Sequence, residues 1–190
     1  SLHDALPIFT FADANTALLT QLTGQLYVVR DGKKESEPVS NTPAALYAGQ
    51  GGLLDVAVDP NYAENGWVYL SFSHALEPER ERVQPDSMTA VVRGKIEDNT
   101  WVDQEVLFEA PHDTYLKMRH HYGSRIAFDS QGYLYFSIGE LGVHGVGPDD
   151  GLYFLVGDLG VHGVGPDDSL YFSLGELGVH GVGPDDSLYF

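Results

Sequence analysis

The chain has 190 residues, 43% hydrophobic and 20% charged, which suits one folded domain with a core of its own. A formal net charge of −18 argues against nucleic acid or an anionic membrane surface as a partner, and no apolar run is long enough to span a bilayer. Cysteine is absent, so disulfides and thiolate metal sites are excluded.

The opening "SLHDALPIF" has no initiator Met, no basic n-region and no apolar h-region, so it does not read as a signal peptide. It looks like a translated adapter, and residues 1–15 are expected to be a non-native or disordered start. From about Thr16, short apolar runs alternate with turn signals. "GQLYVVRDGKK" predicts a strand from Gln25 to Arg30, closed by the hairpin pair Asp31-Gly32. Two more strands, Leu53 to Val58 and Trp67 to Ser73, flank the turn "DPNYAENG". "TAVVRGKIEDNTWVDQEVLFEA" supplies another pair around "EDNT", and "RIAFDSQGYLYFSIGE" a third around "DSQG". "EPERERVQPDS" (Glu77 to Ser87) is charged and carries two prolines, so it reads as a surface loop or crossover. Strands arriving in pairs, with no amphipathic helix of useful length, indicate an all-β fold.

The end of the chain repeats with a period of 18 residues from Ser137 to Phe190. "GVHGVGPDD" recurs at Gly142, Gly160 and Gly178, each copy followed by "GLYF" or "SLYF". A propeller blade needs about 40 to 50 residues, so one unit can supply at most a strand pair. "LYFSIGELG" (Leu134 to Gly142) and "LYFSLGELG" (Leu170 to Gly178) differ at one position, and "DSQGYLYF" aligns with "GPDDSLYF". The repeat therefore reads as a tandem copy of the strand-turn-strand at 126–142. Stacked copies would align His144, His162 and His180 into a ladder able to take Zn²⁺ or Cu²⁺, and the aspartate pairs 149/150, 167/168 and 185/186 could offer Ca²⁺ hard oxygens. Turn aspartates are more often present for Asx-turn geometry, and no metal ligand is assigned. The last basic residue is Arg125, and everything beyond it is acidic or neutral.

"GQGGLLDVAVDPNYAENGWVYLSFS", then "TAVVRGKI", then "HHYGSRIAFDSQGYLYFSIGE" resemble, in order and spacing, the pyrroloquinoline quinone (PQQ)-dependent sugar dehydrogenases of the soluble glucose/aldose type. The resemblance runs from about Leu19 to Gly142. It implies a partial β-propeller over 16–142, about two to three blades of a six-bladed fold, followed by strand-turn-strand repeats over 143–190. It implies oxidation of an aldose at C1 to the lactone, with PQQ as hydride acceptor and Ca²⁺ as companion ion. A sugar and an electron acceptor are the implied partners, in the periplasm or outside the cell. His121, in the "H-x-G-x-R" block, is the implied general base, a task that suits an imidazole titrating near neutrality. Gln50 of "GQGG" is the implied quinone contact, with the flanking glycines expected to let backbone approach a flat ring. His120 is expected to line the site, and Arg125 to orient it or to pair with an acid. His120 and His121 would otherwise read as strand-end histidines, and "GQGG" as a flexible turn.

The pattern also departs from the family. PQQ carries three carboxylates, and the resemblance places most of their Arg and Lys partners, with the Ca²⁺ cradle, after the "IGE" strand. Here that region holds the repeats, with no Lys or Arg, and Leu141 stands where an Arg is usual. The expectation is a truncated quinoprotein whose activity the missing cations put at risk. The alternative is a non-catalytic acidic β-repeat module, with or without Ca²⁺. Either way, an incomplete propeller exposes strand edges through which copies are expected to associate.

Overall fold

The computed structural model describes residues 8–76, 85–117 and 119–138, together with strands at 155–160 and 171–174. The fold is all-β. Its described strands form three four-stranded antiparallel sheets, taken up in chain order.

The first sheet contains β1 (Ile8–Phe11), β2 (Thr16–Thr20), β3 (Leu26–Arg30) and β4 (Lys33–Lys34). The Asp31-Gly32 turn is present, with φ of 50° and 74° at its two residues. These positive values match the right-handed twist of the strands it joins. Part of the stretch set aside at the start belongs to this sheet, since Ile8 pairs with Thr20 and Phe11 with Ala17. Phe9 and Phe11 are 59% and 64% exposed on β1, the strand that ends the sheet.

The middle sheet contains β5 (Leu53–Val58), β6 (Val68–Ala75), β7 (Ser87–Glu97) and β8 (Thr100–Glu109). The turn before β6 holds a single helical turn, α1 (Tyr62–Asn65), closed by Gly66 at φ 70°. Ser87, expected in the loop, begins β7 instead, because its backbone pairs with Ala75 and bridges to Leu116. Val68, Leu70, Phe72, Ala90, Val92 and Trp101 face the first sheet, packing with Leu18, Leu26 and Val28. Tyr69, Val91 and Phe108 face the other way, against Ile126, Leu134 and Phe136. Gly94 makes room for Trp101, since a Cβ there would lie 2.4 Å from the indole Cε2.

The third sheet runs β9 (Gly123–Phe128), β10 (Tyr133–Ile138), β11 (Leu155–Gly160) and β12 (Tyr171–Leu174). Asp129 builds its first turn, its Oδ1 accepting the N–H groups of Gln131 (2.8 Å) and Tyr133 (2.9 Å). β11 and β12 come from the repeat and extend the sheet by antiparallel backbone pairing. The repeat histidines and aspartate pairs lie outside the described residues.

Candidate active site

Two segments far apart in sequence meet between the middle and third sheets. Residues 49–52 lead into β5, and residues 119–122 lead into β9. The Gln50 backbone N–H donates to the Arg119 carbonyl at 2.7 Å. In return the His121 N–H donates to Gln50 Oε1 at 2.8 Å, across 71 residues of chain. Gln50 and His121, the implied quinone contact and base, are thus bonded to one another.

Two of the glycines around Gln50 are closely approached by the protein itself on the side where a Cβ would stand. A Cβ on Gly49, itself at φ 60°, would fall 2.3 Å from the Arg119 carbonyl oxygen. One on Gly51 would meet the Tyr122 ring and Ser73 Oγ, both at 2.9 Å. The space their missing side chains leave is taken by Arg119 and Tyr122, with Ser73 beside Gly51.

The chain from Arg119 into β9 is sharply bent. His121 sits at φ 60° and Ser124 at φ 115°, both in territory that L-residues rarely occupy. Partners on the middle sheet hold the bend in place. Ser71 Oγ donates to the Ser124 carbonyl at 2.8 Å, and Thr89 Oγ1 donates to the Tyr122 carbonyl at 2.5 Å. His121 is left exposed, with the half-buried His120 ring edge-on to it at 4.7 Å. Two imidazoles on one turn are therefore joined by a carboxamide from the 49–52 segment.

Arg125 points elsewhere. Its Nε lies 3.9 Å from Asp55 Oδ2, and its side chain is 78% exposed, so solvent screens the pair. Asp55 is the group that sequence reasoning passed over. It is 3% exposed. Its Oδ2 accepts the Ile126 N–H at 2.7 Å and its Oδ1 the Val56 N–H at 2.9 Å, so one carboxylate ties β5 to β9. Burial pushes its carboxyl above the ordinary range, against the opposing pull of the Ile126 N–H, Arg125 and the Val56 N–H. A lone Asp inside "LLDVAV" carries no sequence signal of that role beyond its charge in an apolar strand. Arg119 was also missed. Its guanidinium is engaged by Ser87 Oγ and the Leu116 and Pro85 carbonyls.

Ca²⁺ takes six to eight oxygen ligands at close range. Among the described residues no three His, Asp or Glu converge as a metal site. His74, Glu109 and His112 form a chain of contacts at 3.8 and 3.0 Å. Among the described residues no donor set fits Ca²⁺, and no step is assigned to it. No helix among the described residues is long and apolar enough to cross a membrane.

Residues 5–158 match the family model described as glucose/sorbosone dehydrogenase. The chain belongs to that family. Aldose sugar dehydrogenase YliI of Escherichia coli K12 is 32% identical over 130 residues, covering 67% of this chain and 33% of the relative. A solved glucose dehydrogenase superposes with a TM-score of 0.69 at 30% identity, over 85% of this chain and 46% of that one. The PQQ-bound aldose sugar dehydrogenase of Streptomyces coelicolor shares the fold, with a TM-score of 0.60 at 20% identity over 84% of this chain and 53% of its own. The glucose/sorbosone dehydrogenase fold is a β-propeller, and this chain carries part of it. Its match spans about a third of the length of the curated E. coli relative.

Proposed function

We propose that this chain carries one side of a quinoprotein aldose dehydrogenase site, built on the Gln50–His121 contact. That contact is the observation that carries the reading, because it joins two family motifs at 2.8 Å across the fold. The residues present fit one edge of a flat polyanion. Gln50 Oε1 is engaged by His121, so its NH₂ end is the donor it can offer a quinone or carboxylate oxygen. His120 lines the same turn, while the exposed Arg125 leans toward Asp55 instead. PQQ, when bound, supplies a hydride acceptor for the C1 hydrogen. His121 accepts the proton of the sugar C1 hydroxyl, and the lactone results. Its positive φ turns its N–H to Gln50 and leaves the imidazole exposed to a substrate.

Reconstitution of the full chain with PQQ, glucose and an artificial electron acceptor tests this. Turnover is expected, and His121→Ala is expected to reduce it by about 10²–10⁴-fold, as for loss of a general base. Absence of both turnover and quinone binding would leave ancestry alone.

The pairing of β10 with β11 and of β11 with β12 favours a second reading for the repeat, as a non-catalytic β-module that extends the third sheet. A chain ending at Gly142 should then lose stability, and calorimetry with Ca²⁺ asks whether the repeat also binds that ion. Equal stability of the shortened chain would remove this role. Self-association through β1, with its exposed Phe9 and Phe11, belongs to the same picture, and a monodisperse monomer in light scattering would count against it.

A further inference from the structure

Beneath the Gln50–His121 contact lies a buried hydroxyl that the reaction does not touch. Tyr122 is 3% exposed and packs with Leu54, Leu22, Met88 and Leu116. Its hydroxyl lies 2.8 Å from Ser87 Oγ. Its carbonyl accepts from Thr89 Oγ1. Ser87 and Thr89 are both fully buried, two residues apart on β7, and so present their hydroxyls on one face of that strand. A single residue is thereby gripped at its backbone and at its far end by the middle sheet. Ser87 Oγ also accepts Arg119 Nη1 at 3.2 Å, and the Arg119 carbonyl in turn receives the Gln50 N–H.

The upper side of the ring meets the other half of the site. Gly51 sits so close that a Cβ would lie 2.9 Å from Tyr122 Cε2 and 3.0 Å from Cζ. Tyr122 thus supports the turn that carries Gln50 and is joined by a peptide bond to His121. A buried hydroxyl is costly unless bonded, so the bond to Ser87 selects one ring placement from those the apolar cluster would accept. That placement sets the height of Gly51, and with it the distance between Gln50 Oε1 and the His121 N–H.

We propose that Tyr122 is the positioning residue of the Gln50–His121 pair, acting through Ser87 and Gly51; this rests on the reading of that pair as the site. Tyr122→Phe keeps the ring and deletes the hydroxyl. Proton–nitrogen spectra of the full chain follow the His121 amide, and Gln50→Ala shows where that amide lies without its acceptor. In Tyr122→Phe the amide should move toward the Gln50→Ala position, and its solvent exchange should quicken by about tenfold, the factor carried by one net hydrogen bond. Ser87→Ala should reproduce the shift, and the double variant should add nothing to either single change. The amides of Val28 and Leu70, in the first and middle sheets, should stay in place. An unmoved His121 amide, or a shift shared equally by Val28 and Leu70, would overturn the assignment. PQQ affinity is measured on the same samples. If the wild-type chain binds no PQQ while the His121 amide responds as described, positioning stands and the quinone reading falls. If PQQ binds and the amide is unmoved, the reverse holds.

Discussion

In the middle sheet every residue from Val68 to Ser73 is buried, because β6 packs against the first sheet on one face and the third on the other. In the third sheet β10 alternates between buried Leu134, Phe136 and Ile138 and more accessible neighbours. One sheet thus looks like the centre of a stack and the other like a half-covered face. The middle sheet also carries Arg93 and Lys95 against Trp67, while the described third sheet has Arg125 as its one cation. Repeat-derived strands can lengthen such a sheet because pairing needs only backbone and alternation. Recognition of a polyanion needs positive charges at particular places, and the repeat has no Lys or Arg.

The largest effect expected is in the centre of the stack. Trp101 is fully buried, and Trp101→Ala should cost about 3–5 kcal/mol in urea denaturation. Phe136→Ala, at the middle–third junction, should cost a similar about 3–5 kcal/mol and melt the same single transition. Two separate transitions would break the picture of sheets stabilising one another.

Asp55 tests the tie between the sheets. In Asp55→Asn the amide nitrogen must face one of two backbone N–H donors, so a loss of about 1–3 kcal/mol is expected. Its pH dependence has a definite sign. Because burial raises the folded carboxyl above 3.8, its contribution is fullest below that value and is lost as pH rises through the raised folded value. Stability curves of the two proteins against pH should show that slope in the wild type and its absence in Asp55→Asn.

A smaller effect, of opposite sign, is expected at the bend. Glycine occupies φ 60° freely, so His121→Gly should stabilise the fold by about 0.5–1 kcal/mol while removing the proposed general base. A destabilised His121→Gly would show that the imidazole serves the fold. The smallest change belongs to Asp129. Slight burial raises its carboxyl, but the N–H groups of Tyr133, Gln131 and Gly132 and the Tyr135 hydroxyl together lower it below 3.8. Its contribution is therefore present above that value and lost as pH falls through the lowered one. Asp129→Ala should flatten this acid-side loss in thermal melts, opposite in sense to Asp55→Asn.

Much of the strand order was legible because turn chemistry and apolar runs are local. Leu53–Val58 coincides with its predicted span, and Asp31-Gly32 and Asp98-Asn99 turn through positive φ as such pairs favour. The helical turn at Tyr62–Asn65 was hidden in a loop-like string whose N-cap Asn61 gives no side-chain cap. Ile8–Phe11 went unread because the opening around it resembles a translated adapter, and its pairing with β2 is visible only in the fold. At the site, resemblance singled out Gln50 and His121, but not that they touch. Tyr122, Ser87 and Asp55 escaped notice because their roles are long-range hydrogen bonds, and a buried hydroxyl or carboxylate has no periodicity to reveal it.

The 71 residues that separate Gln50 from His121, and equally Asp55 from Ile126, have a kinetic consequence. Hairpins close over short loops and form early, whereas these contacts must wait for two sheets to meet. During refolding, strand signal should return first and the His121 amide bond last. The candidate site of this chain is thus the last part its folding completes.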